Sequence, residues 1–324
     1  MGVCKVNEIL EQLGEFGLVP AVKINNADSA VDVGRALIAG DLPVIEVIFR
    51  TDAAEEAIRR INNELPEILL GAGTVLTVDQ VKKAVSAGAK FIVAPGFNPT
   101  VVDYCIENGI PVTPGVNNPS MIELAVERGL KLLKFFPAEA SGGLKILKAV
   151  APAYSGVSFL PTGGINEGNL ADYLAFDRVH ACGGTWFCKD ALISNGRFDE
   201  ITRLTKNAVS IVLGFSISEA VVYERAEDDA VFSISFLSDL LNFPLITGRA
   251  SAKGGPEFEN AGVSSQGKYG RIVIKTNNLN RAAAYFKRRG VKINPGTSSR
   301  EAEKQESIGL EIAVFGFSVN ILQK

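Results

Sequence analysis

Leu132-Leu133-Lys134-Phe135-Phe136-Pro137-Ala138-Glu139 sets one lysine inside an apolar, strand-like run that ends in a turn. An ammonium in such surroundings is poorly hydrated, which favours the neutral amine. A neutral amine attacks carbonyl carbon, the first requirement of Schiff-base chemistry. The alternative is a lysine that snorkels from a strand end into solvent. The stretch alone leaves both readings open.

Working outward, the same texture recurs on either side. Val19–Ile24, Pro43–Phe49, Ile68–Gly71, Phe91–Ala94, Pro111–Thr113, Leu132–Phe136, Ser158–Pro161 and Arg178–Ala181 are short apolar runs, with stretches rich in Ala, Glu and Lys between them. Strands apolar on both faces and separated by helices imply a buried parallel sheet. Eight such units in about 200 residues fit a small (β/α)8 TIM barrel, with a doubly wound open sheet as the alternative. The fold class is therefore α/β. Met1 to Gly14 reads as an amphipathic helix ahead of the first strand.

Small-residue turns follow five of these runs: Gly71-Ala72-Gly73-Thr74, Pro95-Gly96-Phe97-Asn98, Pro114-Gly115-Val116-Asn117, Thr162-Gly163-Gly164-Ile165 and Cys182-Gly183-Gly184-Thr185. In a barrel they lie on the C-terminal face, where active sites are built. The opposite face uses ordinary links such as Asn108-Gly109 and Arg128-Gly129.

Composition narrows the function. With 47% hydrophobic residues the chain can bury a sizeable core, and a net charge of -3 argues against a nucleic-acid or membrane-surface partner. No apolar run is long enough for a membrane span, and the N-terminus lacks a signal-peptide layout. Cys4, Cys105, Cys182 and Cys188 are scattered, as expected of reduced thiols in the cytoplasm. His180 is the only histidine, which weighs against a histidine-built metal site or a Ser-His-Asp triad.

A second ionisable residue sits within an apolar run, Glu46 in Leu42-Pro43-Val44-Ile45-Glu46-Val47-Ile48-Phe49-Arg50-Thr51. An unpaired buried carboxylate is costly, so Glu46 is either half of a structural pair with Arg50 or a working acid/base. Alternation points Arg50 to the same face nearer the mouth, where its forked donors suit a substrate carboxylate. With Glu46 on the second strand and Lys134 on the sixth, the two meet across an eight-stranded barrel. A nucleophilic amine and a proton-moving carboxylate then converge on one small carbonyl substrate. Gly163-Gly164 and Gly183-Gly184-Thr185, after the last two strands, are placed to hold phosphate through backbone N–H groups.

Together Glu46-Val47, Arg50-Thr51, Gly71-Ala72-Gly73-Thr74-Val75, Ala94-Pro95-Gly96, Lys134-Phe135-Phe136-Pro137-Ala138-Glu139 and Pro161-Thr162-Gly163-Gly164-Ile165 resemble the 2-keto-3-deoxy-6-phosphogluconate (KDPG) / 4-hydroxy-2-oxoglutarate aldolase family over about residues 5–213. The resemblance implies a class I aldolase that forms a Schiff base and releases pyruvate, without metal or other cofactor. It would make Lys134 the Schiff-base residue and Glu46 the general acid/base. Arg50, Thr74 and Pro95 would bind the pyruvate moiety, and Thr162, Gly163, Gly164 and Thr185 the distal hydroxyl and phosphate. It also implies a homotrimer whose only other partner is its small 2-keto acid substrate. Thr185 stands where serine is usual, Ile48 where a small or polar residue is common, and Lys23 at a variable position near the mouth. A related 2-keto-3-deoxy acid, or a sugar-acid sensor without turnover, stays open.

The rhythm changes near Leu213–Ser218. Residues 218–324 read as a smaller α+β domain, with strands Val221–Tyr223, Val231–Ile234, Arg271–Lys275, Val291–Ile293, Leu310–Val314 and Ser318–Leu322. Helices are expected at Phe236–Leu241 and Asn278–Arg289, and a Gly/Ser-rich loop at Gly248–Gly270. The strand–helix–strands order, given twice, resembles the glyoxalase/vicinal-oxygen-chelate fold. Without histidine, and with Glu311 alone among typical ligands, it implies a degenerate copy used for subunit contact or small-molecule sensing. Leu279, Ala283 and Phe286 fall at core spacing, while Arg281, Lys287, Arg288 and Arg289 read as a solvated face.

Overall fold

The computed structural model describes residues 3–222, 270–295, 307–314 and 317–324, and the chain divides into two compact units, Met1–Val212 and Leu213–Lys324. The first unit opens with the helix Val3–Phe16 and then alternates strands with helices. Its strands are β1 (Leu18–Val22), β2 (Val44–Ile48), β3 (Leu69–Gly73), β4 (Phe91–Val93), β5 (Val112–Thr113), β6 (Gly115–Val116), β7 (Leu132–Phe135), β8 (Ser158–Pro161) and β9 (Cys182–Gly184). They form a curled parallel sheet in two hydrogen-bonded segments, ordered β5-β4-β3-β2-β1-β9 and β6-β7-β8.

Pro114, which has no amide hydrogen, separates β5 from β6, so one expected strand is recorded as two. At the other junction, isolated parallel bridges join Phe159 to Val179 and Thr162 to Gly183. Two expectations shift here. Arg178–Ala181 meets β8 only through the first bridge, and the regular strand comes later, in the Cys182-Gly183-Gly184 segment expected to be a turn. The physical reason is room. A Cβ on Gly183 would lie 2.3 Å from Thr162 Oγ1, and one on Gly184 2.1 Å from the Trp186 ring. Gly71 and Gly73 likewise lie inside β3; a Cβ on Gly71 would meet the Phe91 ring at 2.3 Å.

The strands form because apolar side chains fill both faces; β1, β2 and β7 are buried throughout. The helices cover them with one apolar stripe each. In Ala54–Glu64 the buried set is Ala54, Ala57, Ile58 and Ile61, while Glu55, Glu56, Arg59 and Arg60 pair on the outer face. Asparagine caps begin two successive helices: Asn98 accepts from Thr100 N and Asn118 from Met121 N, with Pro99 and Pro119 in the first turn.

Register assembles one inner face. Ala21, Glu46, Gly71 and Phe91 are successive parallel partners. Two residues further along β4, Val93 pairs with Thr113; across β6 to β8 the partners are Gly115, Lys134 and Leu160. Strands with a side-chain period of two thereby carry Glu46 and Lys134 to the same interior.

The second unit is a five-stranded mixed sheet, β10 (Ser216–Val222), β11 (Gly270–Thr276), β12 (Ile293–Pro295), β13 (Ser307–Val314) and β14 (Phe317–Gln323), ordered β10-β11-β14-β13-β12. The helix Leu279–Arg288 packs Leu279, Ala282 and Phe286 with Ile272, Ile274, Val319 and Ile321. Two expectations are corrected. Ala282, fully buried, occupies the core position expected of Ala283, which is half-buried; Arg281 is buried rather than solvated. The first strand also starts earlier than expected, at Ser216. The expected elements at 231–234 and 236–241, and the expected loop up to residue 269, lie outside the described residues, as does Tyr223.

Candidate active site

Lys134 and Glu46 meet in the interior. The Lys134 ammonium donates to Glu46 Oε1 at 3.4 Å, with the two residues 5% and 1% exposed. The carboxylate is therefore paired with the lysine and not with Arg50, the pairing weighed as its structural alternative. A pair this buried is held against a large desolvation cost, which makes it a poor device for stability alone. Glu46 Oε2 is buried with no hydrogen-bond partner. The Phe136 ring lies beneath the ammonium, its centroid 5.4 Å from Nζ.

Small residues make the space. A Cβ on Gly73 would fall 1.9 Å from Glu46 Oε1, and one on Gly115 would fall 2.1 Å from the Pro95 carbonyl oxygen. Glycine is thus required for side-chain clearance at Gly73 and for backbone approach at Gly115. Thr113 on the same face is fully buried and its hydroxyl has no partner. Neither Phe136 nor Thr113 was singled out in the sequence. The strand alternation around Lys134 and the lone polar residue in Pro111–Thr113 were the available signals.

The other expected site residues lie at strand ends. Arg50 sits beyond the end of β2, exposed, and its guanidinium makes no ion pair among the described residues; alternation along β2 ends at Ile48 and does not carry to it. Thr51 anchors that turn by donating to the Ile24 carbonyl at 2.6 Å. Thr74, just past β3, holds φ +57°, a left-handed conformation that is strained for a β-branched residue. Lys23, expected near the mouth, pairs with Asp190 at 3.0 Å.

Thr162 is buried, and after it Gly163 and Gly164 turn with φ +97° and +85°. Thr185 follows β9 and is exposed. Behind this turn lies a cavity of about 380 Å³ lined by Glu139, Gly142, Gly143, Leu144, Asn169, Asp172 and Tyr173. Neither Lys134 nor Glu46 lines it. Its wall is fixed by the Tyr173 hydroxyl, which donates to the Glu139 carboxylate. Burial, then that carboxylate, raises the Tyr173 pKa and keeps the proton on its oxygen. Among the described residues no group of His, Cys, Asp and Glu could hold a metal ion, and no helix is long and apolar enough to cross a membrane.

Residues 9–204 match the family model described as KDPG and KHG aldolase. A 2-dehydro-3-deoxy-phosphogluconate aldolase of Haemophilus influenzae is 45% identical over 205 residues, 63% of this chain and 97% of that protein. One from Treponema pallidum is 46% identical over 204 residues, again 63% and 97%. Among solved structures, KDPG aldolase from Legionella pneumophila, with pyruvate captured at low pH as a covalent carbinolamine intermediate, has a TM-score of 0.60 and 35% identity. It covers 62% of this chain and 97% of its own.

Proposed function

This chain belongs to the KDPG and KHG aldolase family, and from that premise we propose that it is a class I aldolase acting through Lys134. The single observation that carries the reading is the buried contact between the Lys134 amine and the Glu46 carboxylate. In this reading the curled sheet is a (β/α)8 barrel over residues 1–213. The substrate is KDPG, cleaved to pyruvate and glyceraldehyde 3-phosphate, with 4-hydroxy-2-oxoglutarate cleaved to pyruvate and glyoxylate by the same steps.

The Lys134 ammonium passes a proton to the Glu46 carboxylate 3.4 Å away, and the freed amine attacks the C2 carbonyl of the 2-keto acid to give a carbinolamine. Loss of water, with a proton delivered by Glu46, gives the iminium. Glu46 then takes the proton of the C4 hydroxyl. The C3–C4 bond breaks, its electrons pass into the iminium, and an aldehyde leaves. Protonation of the resulting enamine at C3 and addition of water release pyruvate and restore the amine. Covalent capture of pyruvate in the Legionella pneumophila relative supports the first step.

Arg50, Thr74 and Pro95 would bind the pyruvate end, and Thr162, Gly163, Gly164 and Thr185 the distal end. The exposed Arg50 guanidinium, which makes no ion pair among the described residues, supports the first assignment, since a carboxylate could be met by both of its forked donors. We place the enzyme in the cytoplasm, where the buried thiols of Cys105, Cys182 and Cys188 stay reduced. We also read it as a homotrimer. Exposed apolar side chains on successive helices, among them Val85, Ile106, Leu124 and Val126, offer surface for such contacts.

The second unit we read as an accessory domain of glyoxalase type, supported by its strand–helix–three-strand order from β11 to β14. Pyruvate release from KDPG, followed for the wild type, Lys134→Ala and a chain ending at Gly214, tests the reading. Turnover is expected in the wild type and in the shortened chain, and none above background in Lys134→Ala. Turnover by Lys134→Ala would refute it.

A further inference from the structure

The turn Gly163-Gly164-Ile165 is held by groups that belong neither to the lysine pair nor to the expected phosphate residues. The Gly163 carbonyl accepts from Glu139 N at 3.0 Å. The Gly164 carbonyl accepts from two side-chain amides, Asn166 Nδ2 at 3.0 Å and Asn169 Nδ2 at 3.1 Å. Each amide oxygen is held in turn by a loop N–H. Asn169 Oδ1 accepts from Asn166 N at 2.8 Å, and Asn166 Oδ1 accepts from Gly168 N at 2.8 Å.

In a planar trans peptide the carbonyl and the following N–H point in opposite directions. Fixing the Gly163 carbonyl therefore fixes the Gly164 N–H, and fixing the Gly164 carbonyl fixes the Ile165 N–H. Neither of those N–H groups has a hydrogen-bond partner among the described residues. The backbone alone would not hold this arrangement, because Gly163 and Gly164 lack the side chains that limit rotation. A side chain at Gly164 has no room either: its Cβ would lie 2.5 Å from Glu139 Cγ.

We propose that Asn166 and Asn169 are positioning residues that set the preference for a phosphorylated substrate. By clamping the Gly164 carbonyl they aim the Ile165 N–H at the distal phosphate, beside the Gly164 N–H that Glu139 N orients through the Gly163 carbonyl. The inference rests on the aldolase reading above and adds to it the device that makes a backbone turn selective. Preorganised donors bind an anion more strongly than donors that must first be ordered, and the clamp supplies that order before substrate arrives. An unphosphorylated substrate does not reach the turn and gains nothing from it.

The test compares the full-length wild type with Asn166→Ala, Asn169→Ala and the double variant. Each is assayed with KDPG and with 4-hydroxy-2-oxoglutarate, and each is treated with pyruvate and borohydride. For the double variant the KM for KDPG should rise about tenfold or more, the loss expected when charge-assisted hydrogen bonds are misaimed. Its kcat should change by less than about threefold, and kcat/KM for 4-hydroxy-2-oxoglutarate should stay within about twofold. The single variants should fall between, with pyruvate trapping unchanged throughout. Intact trapping with no selective loss on KDPG, or equal losses on both substrates, overturns the clamp alone. Absence of trapping in the wild type overturns the Schiff-base reading and the clamp with it.

Discussion

The Lys134–Glu46 pair and the Gly163-Gly164-Ile165 turn are two halves of one candidate site built from opposite materials. The first is made of charged side chains 5% and 1% exposed, touching across the interior and cleared by glycines that leave them room. The second presents no charged side chain of its own, only peptide groups turned by two glycines and clamped from behind by amides. Side chains can move protons and form covalent bonds, whereas backbone N–H groups can only orient and attract. In the proposed reading chemistry and recognition are thereby separated in space, and changes to each half should register in different kinetic constants.

Changes in the side-chain half carry the largest expected effects. Glu46→Gln keeps the shape but cannot accept a proton, and should lower kcat about a thousandfold on both substrates. A loss below tenfold would leave proton transfer to another group. Gly73→Ala should act through the same carboxylate, since its Cβ would lie 1.9 Å from Glu46 Oε1. A displacement on the order of 1 Å predicts a kcat about a hundredfold lower. A normal kcat in that variant would show that the carboxylate position is uncritical.

In the backbone half the effect should be smaller and selective. Gly164→Ala forces a side chain onto φ +85° and against Glu139, so the KM for KDPG should rise about tenfold while 4-hydroxy-2-oxoglutarate is used almost as before. Equal loss on both substrates would merge the two halves into one. Thr74→Gly lies between them. Relieving the strained φ of +57° should stabilise the fold by about 1 kcal/mol in a thermal melt, while weakening pyruvate binding. A fall in melting temperature would mean the strain is illusory.

The smallest effect concerns a thiol outside both halves. Burial pushes Cys105 up to about 12, so its sulfur stays protonated and unreactive through neutral pH. Alkylation at pH 8 should require unfolding, and rapid labelling of native protein would contradict this.

The two halves also differ in how far the sequence disclosed them. Lys134 and Glu46 stand out because a charge inside an apolar run needs a reason, and strand alternation brings them to one face. Gly183 and Gly184 read as a turn in the sequence because glycine signals reversal as readily as it signals lack of room; here Thr162 and Trp186 fill the space a Cβ would need. Alternation also fails at Arg50, beyond the last regular residue of β2. Charge alone points Arg281 to solvent, yet it is 6% exposed. Asn166 and Asn169 look like ordinary loop residues, because a sequence does not show which carbonyl an amide will hold.

The central claim is that Lys134 forms the covalent bond. Incubating the full-length protein with pyruvate and borohydride, followed by peptide mass spectrometry, tests it most directly. A reduced pyruvate adduct on the peptide containing Lys134, and on no other lysine, is the predicted result. An unmodified Lys134, or an adduct that persists in Lys134→Ala, would contradict the account.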